Sequence, residues 1–402
     1  MHASLHPRTP TMPTSSLPGA IGANPDFLIS LSLRNACLAF FDDRHTRFRA
    51  TFVSLEGVEA MVHGFSEYQY GYQRLTTVRA AKPGDSPLLA RCHHRHLGLG
   101  VPYSCNNVFH QLFHAVPVFE QFAPLVAASE AAGHTFSFIP LVYPSTSIGR
   151  RMSDDPRNWH AWEFSLRPLT SMSSAQLAAE TASLVSSCTC FERIEANVPA
   201  FNPLSRSATP RLRAFRKAAL RSIRQMWRRS TPSAMHFAAP LSPGGSDDSL
   251  RQDFLWIVRK HHRRNIQNER ELALRLRENK RVQRVVLETM PLAEQMVLFS
   301  RSLGLVTVHG QAMTWVLFLG SHSSRLKPKV AAVEIMPRGL ISHIYRDLSR
   351  TLGAFYQEVA ALPVSGCGGG STDAKLACNI TVNIESVRLA VNRAAAYTAW
   401  GS

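Results

Sequence analysis

From Phe254 onward the sequence alternates short apolar runs with amphipathic stretches, and this alternation restricts the second half of the chain to an α/β domain. Phe254-Leu-Trp-Ile-Val258 reads as a buried strand. Asn268 followed by Glu271 has the form of a capping box, predicting a helix over 268–280. A second strand is expected over 282–287, and Pro291 opens a helix that runs to about 303, with Gly304 as its stop. A third strand over 305–308, a helix over 312–319 and a fourth strand over 330–335, closed by Pro337, complete the pattern. Each crossover is long enough for parallel pairing, so a doubly wound sheet is expected.

Ligands of such sheets bind beyond the carboxyl ends of the strands. Arg259 and Arg264 follow the first strand, Glu288 the second and His309-Gly310 the third, while Glu334 lies at the end of the fourth. Guanidinium groups chelate pyrophosphate oxygens, and a glycine at a helix start lets backbone approach a phosphate. A carboxylate at a strand end suits a ribose diol. Neither the G-x-G-x-x-G nor the G-x-x-x-x-G-K-[ST] pattern is present, so a sugar nucleotide fits better than a dinucleotide or a P-loop ligand.

The 402 residues, 45% of them hydrophobic, exclude global disorder and suffice for two domains. The formal charge is +17. Residues 196–246 hold nine basic and no acidic residues, and 259–284 hold ten against three, so these segments account for 16 of the 17. In the first of them Leu212, Phe215, Ala219, Ile223 and Trp227 recur at helical spacing. That stripe suits a helix docked at a domain junction with its basic side in water; an anionic membrane or nucleic-acid surface is the sharper alternative. No RRM, KH or zinc-finger pattern appears, so nucleic acid is not the expected partner.

No run of about 18 apolar residues occurs, the nearest (27–41) being broken by Arg34 and Asn35, so a spanning helix is not expected. Residues 1–25, rich in Pro, Ser and Thr, read as a disordered leader, and 232–249 as a flexible link. Seven cysteines without C-x-x-C spacing are read as too few for a disulfide framework and unsuited to zinc, Cys188-Thr-Cys190 being a poor metal pair. Cys367 and Cys378, flanking a Gly-rich turn, suit a bridge in an oxidising lumen, and Asn379-Ile-Thr381 is a glycosylation sequon.

An ordered series of short motifs runs through the chain: Asn107-Val-Phe-His110 with Pro117, Arg264-Asn-Ile266-Gln-Asn268-Glu269, Glu294-Gln295 after Glu288, Val308-His309-Gly310 with Phe318-Leu319, and Val333-Glu334-Ile335-Met-Pro337. The series resembles glycosyltransferase family 61, whose pattern is N-x-x-H, R-x-I-x-N-E, an E-Q helix, H-G-A with L-F-L, and V-E-L-F-P. That family includes animal N-acetylglucosaminyltransferases and plant xylan xylosyl- and arabinosyltransferases. Gln311 stands in place of the alanine of H-G-A, and His114 in place of an acidic residue.

The resemblance implies a GT-B-like fold, with two Rossmann-like α/β domains facing a cleft and a C-terminal helix returning to the first domain. The expected parts are an acceptor-side domain over 26–200, the basic helix and link over 201–250, a nucleotide-sugar domain over 251–362 and a C-terminal segment over 363–402. It implies an inverting transferase moving N-acetylglucosamine or a pentose such as xylose from a UDP-sugar to a glycan or glycoprotein hydroxyl, without metal or other cofactor. Donor-binding residues would be Arg259, Arg264, His309, Gly310 and Glu334. His110 and His114, four apart on one helix face, are the candidates for base or acceptor positioning. A secretory location in the Golgi or endoplasmic reticulum follows by resemblance, with membrane association through an N-terminal anchor, which this sequence does not display, or through the basic helix. An inactive family member, motivated by Gln311 and His114, and a basic nucleic-acid-binding protein are the alternatives.

Overall fold

The structure is a computed structural model and describes residues 27–29, 31–43, 47–56, 60–66, 71–103, 107–142, 156–196, 198–199, 201–229, 254–259, 264–278, 282–321, 329–362 and 378–399. The expected leader over 1–25 and the link over 232–249 lie outside the described residues.

The first half begins with strands β1 (Phe27–Ile29), β2 (Ser32–Asp43), β3 (Arg47–Ser54), β4 (Ala60–Ser66) and β5 (Gly71–Ala80). After α1 (Ser86–Leu89) come β6 (His93–Tyr103), α2 (Val108–Ala131), β7 (Phe136–Val142), α3 (Pro156–Leu166), α4 (Ser174–Ser186), β8 (Thr189–Glu195) and β9 (Val198–Pro199). Seven of these strands form one sheet in the order β4-β5-β3-β2-β8-β6-β7, while β1 pairs with β9. β6 lies parallel to both β7 and β8, with helices in the crossovers, but β2 is antiparallel to β3 and β8. The sheet is therefore mixed rather than a second Rossmann-like parallel one. Only three residues separate β2 from β3, far fewer than the dozen or so that a parallel crossover needs.

Cys188 and Cys190 point to the same face of the chain entering β8, because side chains two apart in a strand do. Cys190 bridges Cys37, its register partner on β2, and Cys188 bridges Cys92 at the start of β6. These two disulfides correct the expectation that the cysteines form no framework. They close loops of 153 and 96 residues, and each is worth about 2–4 kcal/mol by restricting the unfolded chain. The grouping of Cys37, Cys92 and Cys190 thus holds bridged sulfurs rather than free thiolates.

The second half contains α5 (Thr209–Arg229), β10 (Phe254–Val258), α6 (Glu269–Glu278), β11 (Val282–Val286), α7 (Leu292–Arg301), β12 (Gly304–Val308), a 3-10 helix (Gln311–Leu317), β13 (Ala331–Met336), α8 (Ile344–Leu352), β14 (Phe355–Ala360) and α9 (Ile384–Ala399). Its five strands are all parallel in the order β11-β10-β12-β13-β14. This is the doubly wound order 2-1-3-4-5, with the switch point between β10 and β12. The four expected strands are present and β14 adds a fifth at the edge. Gly304 starts β12 instead of stopping α7, and a Cβ there would lie 2.1 Å from the Phe254 ring. The helix expected over 312–319 is the shorter 3-10 turn. α9 does not return to the first domain. Its Val387, Ala390, Val391 and Ala394 pack with Trp256, Val306 and Val333 on one face of the second sheet.

The other face of that sheet is covered by elements of both halves. Leu212, Phe215, Ala219 and Ile223 of α5 are fully buried in one core with Leu112 and Val116 of α2, Phe164 of α3, Leu255, Leu305, Trp315 and Phe318. The opposite side of α5 stays in water at Arg213, Lys217, Arg221, Arg224 and Arg228. Arg211 forms a two-pronged ion pair with Glu120 of α2, and Arg216 donates to the Leu317 carbonyl at 3.2 Å. The basic helix is thus the junction element. α2, 24 residues long, is apolar enough to cross a membrane by length and composition, yet its Phe109, Leu112, Ala115, Val116, Val118 and Phe122 are buried between the two sheets. Replacing Phe215 by Ala should lower the free energy of urea unfolding by about 3–5 kcal/mol, whereas Arg221→Ala on the opposite face should stay within about 0.5 kcal/mol.

Candidate functional site

The carboxyl ends of β10 and β12, on either side of the switch point, carry the groups that converge. Arg259 directly follows β10 with Arg264 further on, while His309 and Gly310 directly follow β12. Arg264 Nη1 donates to the His309 carbonyl at 2.7 Å. Gly310 has φ +148, and a Cβ there would stand 2.5 Å from Arg259 Nη2 and 2.9 Å from Arg264 Nη1. Glycine is required both for that backbone angle and for the approach of two guanidinium groups to one turn.

Arg264 itself adopts a left-handed backbone, φ +62, which costs a non-glycine residue on the order of 1–3 kcal/mol. The half-buried Arg259 has its pKa pushed down to about 10, first by burial and then by the charge of Arg264, with Tyr345 and Glu288 acting the other way. It stays cationic at neutral pH. Two mutually repelling cations on a glycine turn form a site that an anion would stabilise.

His309 and Glu334 are both buried, and they face each other with Nδ1 and Oε1 2.6 Å apart. The second carboxylate oxygen accepts the Tyr356 hydroxyl at 2.6 Å. Burial, followed by the charge of Glu334, holds the Tyr356 phenol well above its ordinary pKa and therefore protonated. The short contact engages Nδ1 of His309, and Nε2 is the other ring nitrogen. Glu334 is 1% exposed and has both oxygens engaged. Its carboxylate thus lies between His309 and Tyr356.

The first half reaches this edge through aromatic rings. Asn107 caps α2 by accepting from the Phe109 amide at 2.9 Å, which sets the first turn carrying Phe109 and His110. Ring centroids then step from His110 to Phe109 (5.4 Å), from Phe109 to Tyr345 (5.0 Å) and from Tyr345 to His309 (5.2 Å). His110 is half-buried at the rim of this stack. His114, one turn further on, is buried with its pKa pushed down to about 4, by burial first and then by His110. It belongs to the helix interior and cannot meet an acceptor.

Several residues enter that sequence reading missed or left as structural. Tyr345 had no motif to mark it. Tyr356 lies on the edge strand β14, diagonal to Glu334 in the β13–β14 register, and would have been found had that strand been recognised. Gln295 holds the turn after β11 by donating to the carbonyls of Leu287 and Met290 at 3.0 and 2.8 Å. Glu269 pairs with Arg284 at 2.8 Å, and Asn268 bonds to Val382. Gln311 is exposed, so its size does not fill the turn beside Gly310. Asn379 is exposed and accepts from the Asn265 amide at 3.0 Å.

The fold and site define an α/β protein whose parallel sheet presents a cationic glycine turn at its switch point, overlain by a helix from a second sheet. The family described as Glycosyltransferase 61 matches over residues 89–326, more than half of the chain, and the protein belongs to that family of glycosyltransferases. Among curated proteins none matches the chain.

His114 supplies a pH test of this packing. Unfolded histidine takes its proton near pH 6.5 and buried His114 only near 4, so the unfolded state alone is protonated between these values. Stability should therefore fall by up to about 3 kcal/mol as the pH drops from 6.5 to 4, and the pH dependence of urea unfolding should be correspondingly shallower in His114→Leu.

Proposed function

We propose that the protein is an inverting transferase of GT-B-like arrangement that takes a UDP-sugar, carrying N-acetylglucosamine or a pentose such as xylose, and delivers the sugar to a hydroxyl of a glycan or glycoprotein. The observation that carries this reading is the convergence of Arg259 and Arg264 on Gly310 at the switch point of the parallel sheet. Two guanidinium groups match the charge of a diphosphate, and the glycine admits its oxygens to the backbone. His309, oriented by Glu334, offers Nε2 to the same group. The arginines serve the role that a divalent cation would otherwise fill, so no metal or other cofactor is assigned.

In the reaction the acceptor oxygen attacks the anomeric carbon from the side opposite UDP. The bond from that carbon to the β-phosphate oxygen breaks, and UDP leaves with the electron pair. His110 accepts the hydroxyl proton, a role suited to histidine near neutral pH. The positive edge both gathers the anionic donor and stabilises the charge that grows on the leaving phosphate.

The cellular setting follows the same reading. Disulfides at Cys37–Cys190 and Cys92–Cys188, together with a bridged Cys378, support an oxidising compartment such as the Golgi or endoplasmic reticulum lumen. There the exposed Asn379 would receive a glycan. The basic side of α5 would favour an anionic membrane surface, alone or beside an N-terminal anchor.

Millimolar UDP or the cognate UDP-sugar should raise the melting temperature by several degrees, as expected for about 2.7 kcal/mol at a hundredfold excess over Kd. No shift with any uridine nucleotide would contradict the proposal. Arg264→Ala should weaken UDP binding roughly 10–100-fold, as loss of a charged hydrogen bond implies. His110→Ala should keep UDP affinity while lowering kcat by about 10²–10⁴-fold in a sugar-transfer assay. UDP binding without turnover by the unaltered protein would instead identify an inactive family member.

A further inference from the structure

The left-handed backbone of Arg264 is fixed from outside the strand that leads to it. The orientation of the Arg264–Asn265 peptide decides where the Asn265 N–H points, and Asn379 Oδ1 captures that N–H at 3.0 Å. The adjoining residues are joined in the same manner. The Ile380 amide donates to the Asn265 carbonyl at 2.9 Å, and the Gln267 amide donates to the Ile380 carbonyl at 2.8 Å. Thr381 Oγ1 donates to Gln267 Oε1 at 2.7 Å. The Asn268 side chain closes the run, donating to the Val382 carbonyl at 2.9 Å and accepting from its amide at 3.1 Å.

The clamping segment is itself anchored. The Leu362 amide, just past β14, donates to the Thr381 carbonyl at 2.8 Å, and Cys378 is disulfide-bonded. Residues 264–268 and 378–382 thus form a short two-stranded clasp. Its first bond lies on the peptide that sets the Arg264 conformation. Freed of that bond, Arg264 would relax towards the right-handed or extended region, and its guanidinium would swing away from His309 and Gly310.

We propose that Asn379 is a positioning residue for the donor site, acting through Arg264. The proposal rests on the donor reading given above. It assigns Asn379 a task independent of its sequon, since the bond uses Oδ1, which a glycan on Nδ2 leaves in place.

Isothermal titration of UDP into the full chain separates the two ideas. Asn379→Ala should weaken UDP binding about tenfold, while Asn379→Asp, which keeps the acceptor oxygen, should stay within about twofold. Neither variant can carry a glycan, so a difference between them belongs to the clasp. In an Arg264→Ala background, adding Asn379→Ala should change the affinity less than about twofold, whereas a general structural role would weaken binding again. Should Asn379→Ala not fold, Asn268→Asp, which loses only the bond to the Val382 carbonyl, should weaken UDP binding by two- to fivefold. UDP binding by the unaltered protein with unchanged affinity in Asn379→Ala, or in Asn268→Asp where that variant stands in, would overturn the proposal and leave the donor reading standing. Absence of UDP binding by the unaltered protein would overturn both.

Discussion

One apolar core, shared by both halves of the chain, fixes the geometry on which everything else depends. The side chains of β10 and β12 that face it, Leu255 and Leu305, meet Phe215 of α5 and Leu112 of α2 in one cluster. Phe164 lies 5.4 Å from Phe215 and 6.4 Å from Trp315, so aromatic rings from three elements meet there. Burial of this order is worth roughly 25 cal/mol for each Å² removed from water, and the two sheets therefore hold one relation to each other. That relation sets the first turn of α2 above the switch point of the parallel sheet.

Within that frame, the functional edge is an exercise in electrostatics under partial burial. Cations are usually spread apart or paired with carboxylates, yet Arg259 and Arg264 approach the same glycine, and burial followed by the charge of Arg264 lowers the proton affinity of Arg259. Arg264 also holds an unfavourable backbone angle. Local conflicts of this kind persist where the surrounding structure imposes them, and here the imposing parts are the Asn379 clasp and the turn at Gly310. Below them, Glu334 has a partner on each carboxylate oxygen, His309 Nδ1 on one and the Tyr356 hydroxyl on the other. The acidic residue is thus held between the histidine and the tyrosine.

Much of this was legible in the sequence, for physical reasons that can be named. β10, β12 and β13 are buried along their whole length and so appear as near-continuous apolar runs, while β11 keeps Val282, Val285 and Val286 around an exposed Gln283 and Arg284. Their loops carry the Arg, His and Gly residues that mark the site. β14 was not legible because Phe355-Tyr-Gln-Glu-Val-Ala360, an edge strand only partly buried, is neither a continuous apolar run nor an alternation of polar and apolar residues, and Tyr356 was lost with it. The first sheet was harder still. Its strands pair over long separations, as Cys37 with Cys190 does, and no local pattern announces such a partner. The reading of α5 as a junction helix followed directly from one apolar stripe on a basic background. His110 and His114 show the limit of spacing arguments, since both lie on one helix face yet one reaches the rim and the other is sealed.

The central claim is that a nucleoside diphosphate sits at the switch point between β10 and β12. A crystal structure of the protein with UDP tests it most directly. The account predicts phosphate oxygens within about 3 Å of the Arg264 guanidinium and of the Gly310 backbone, with Arg259 closing on the same group. UDP bound on the first sheet, or anywhere without contact to Arg259, Arg264 and Gly310, would contradict it.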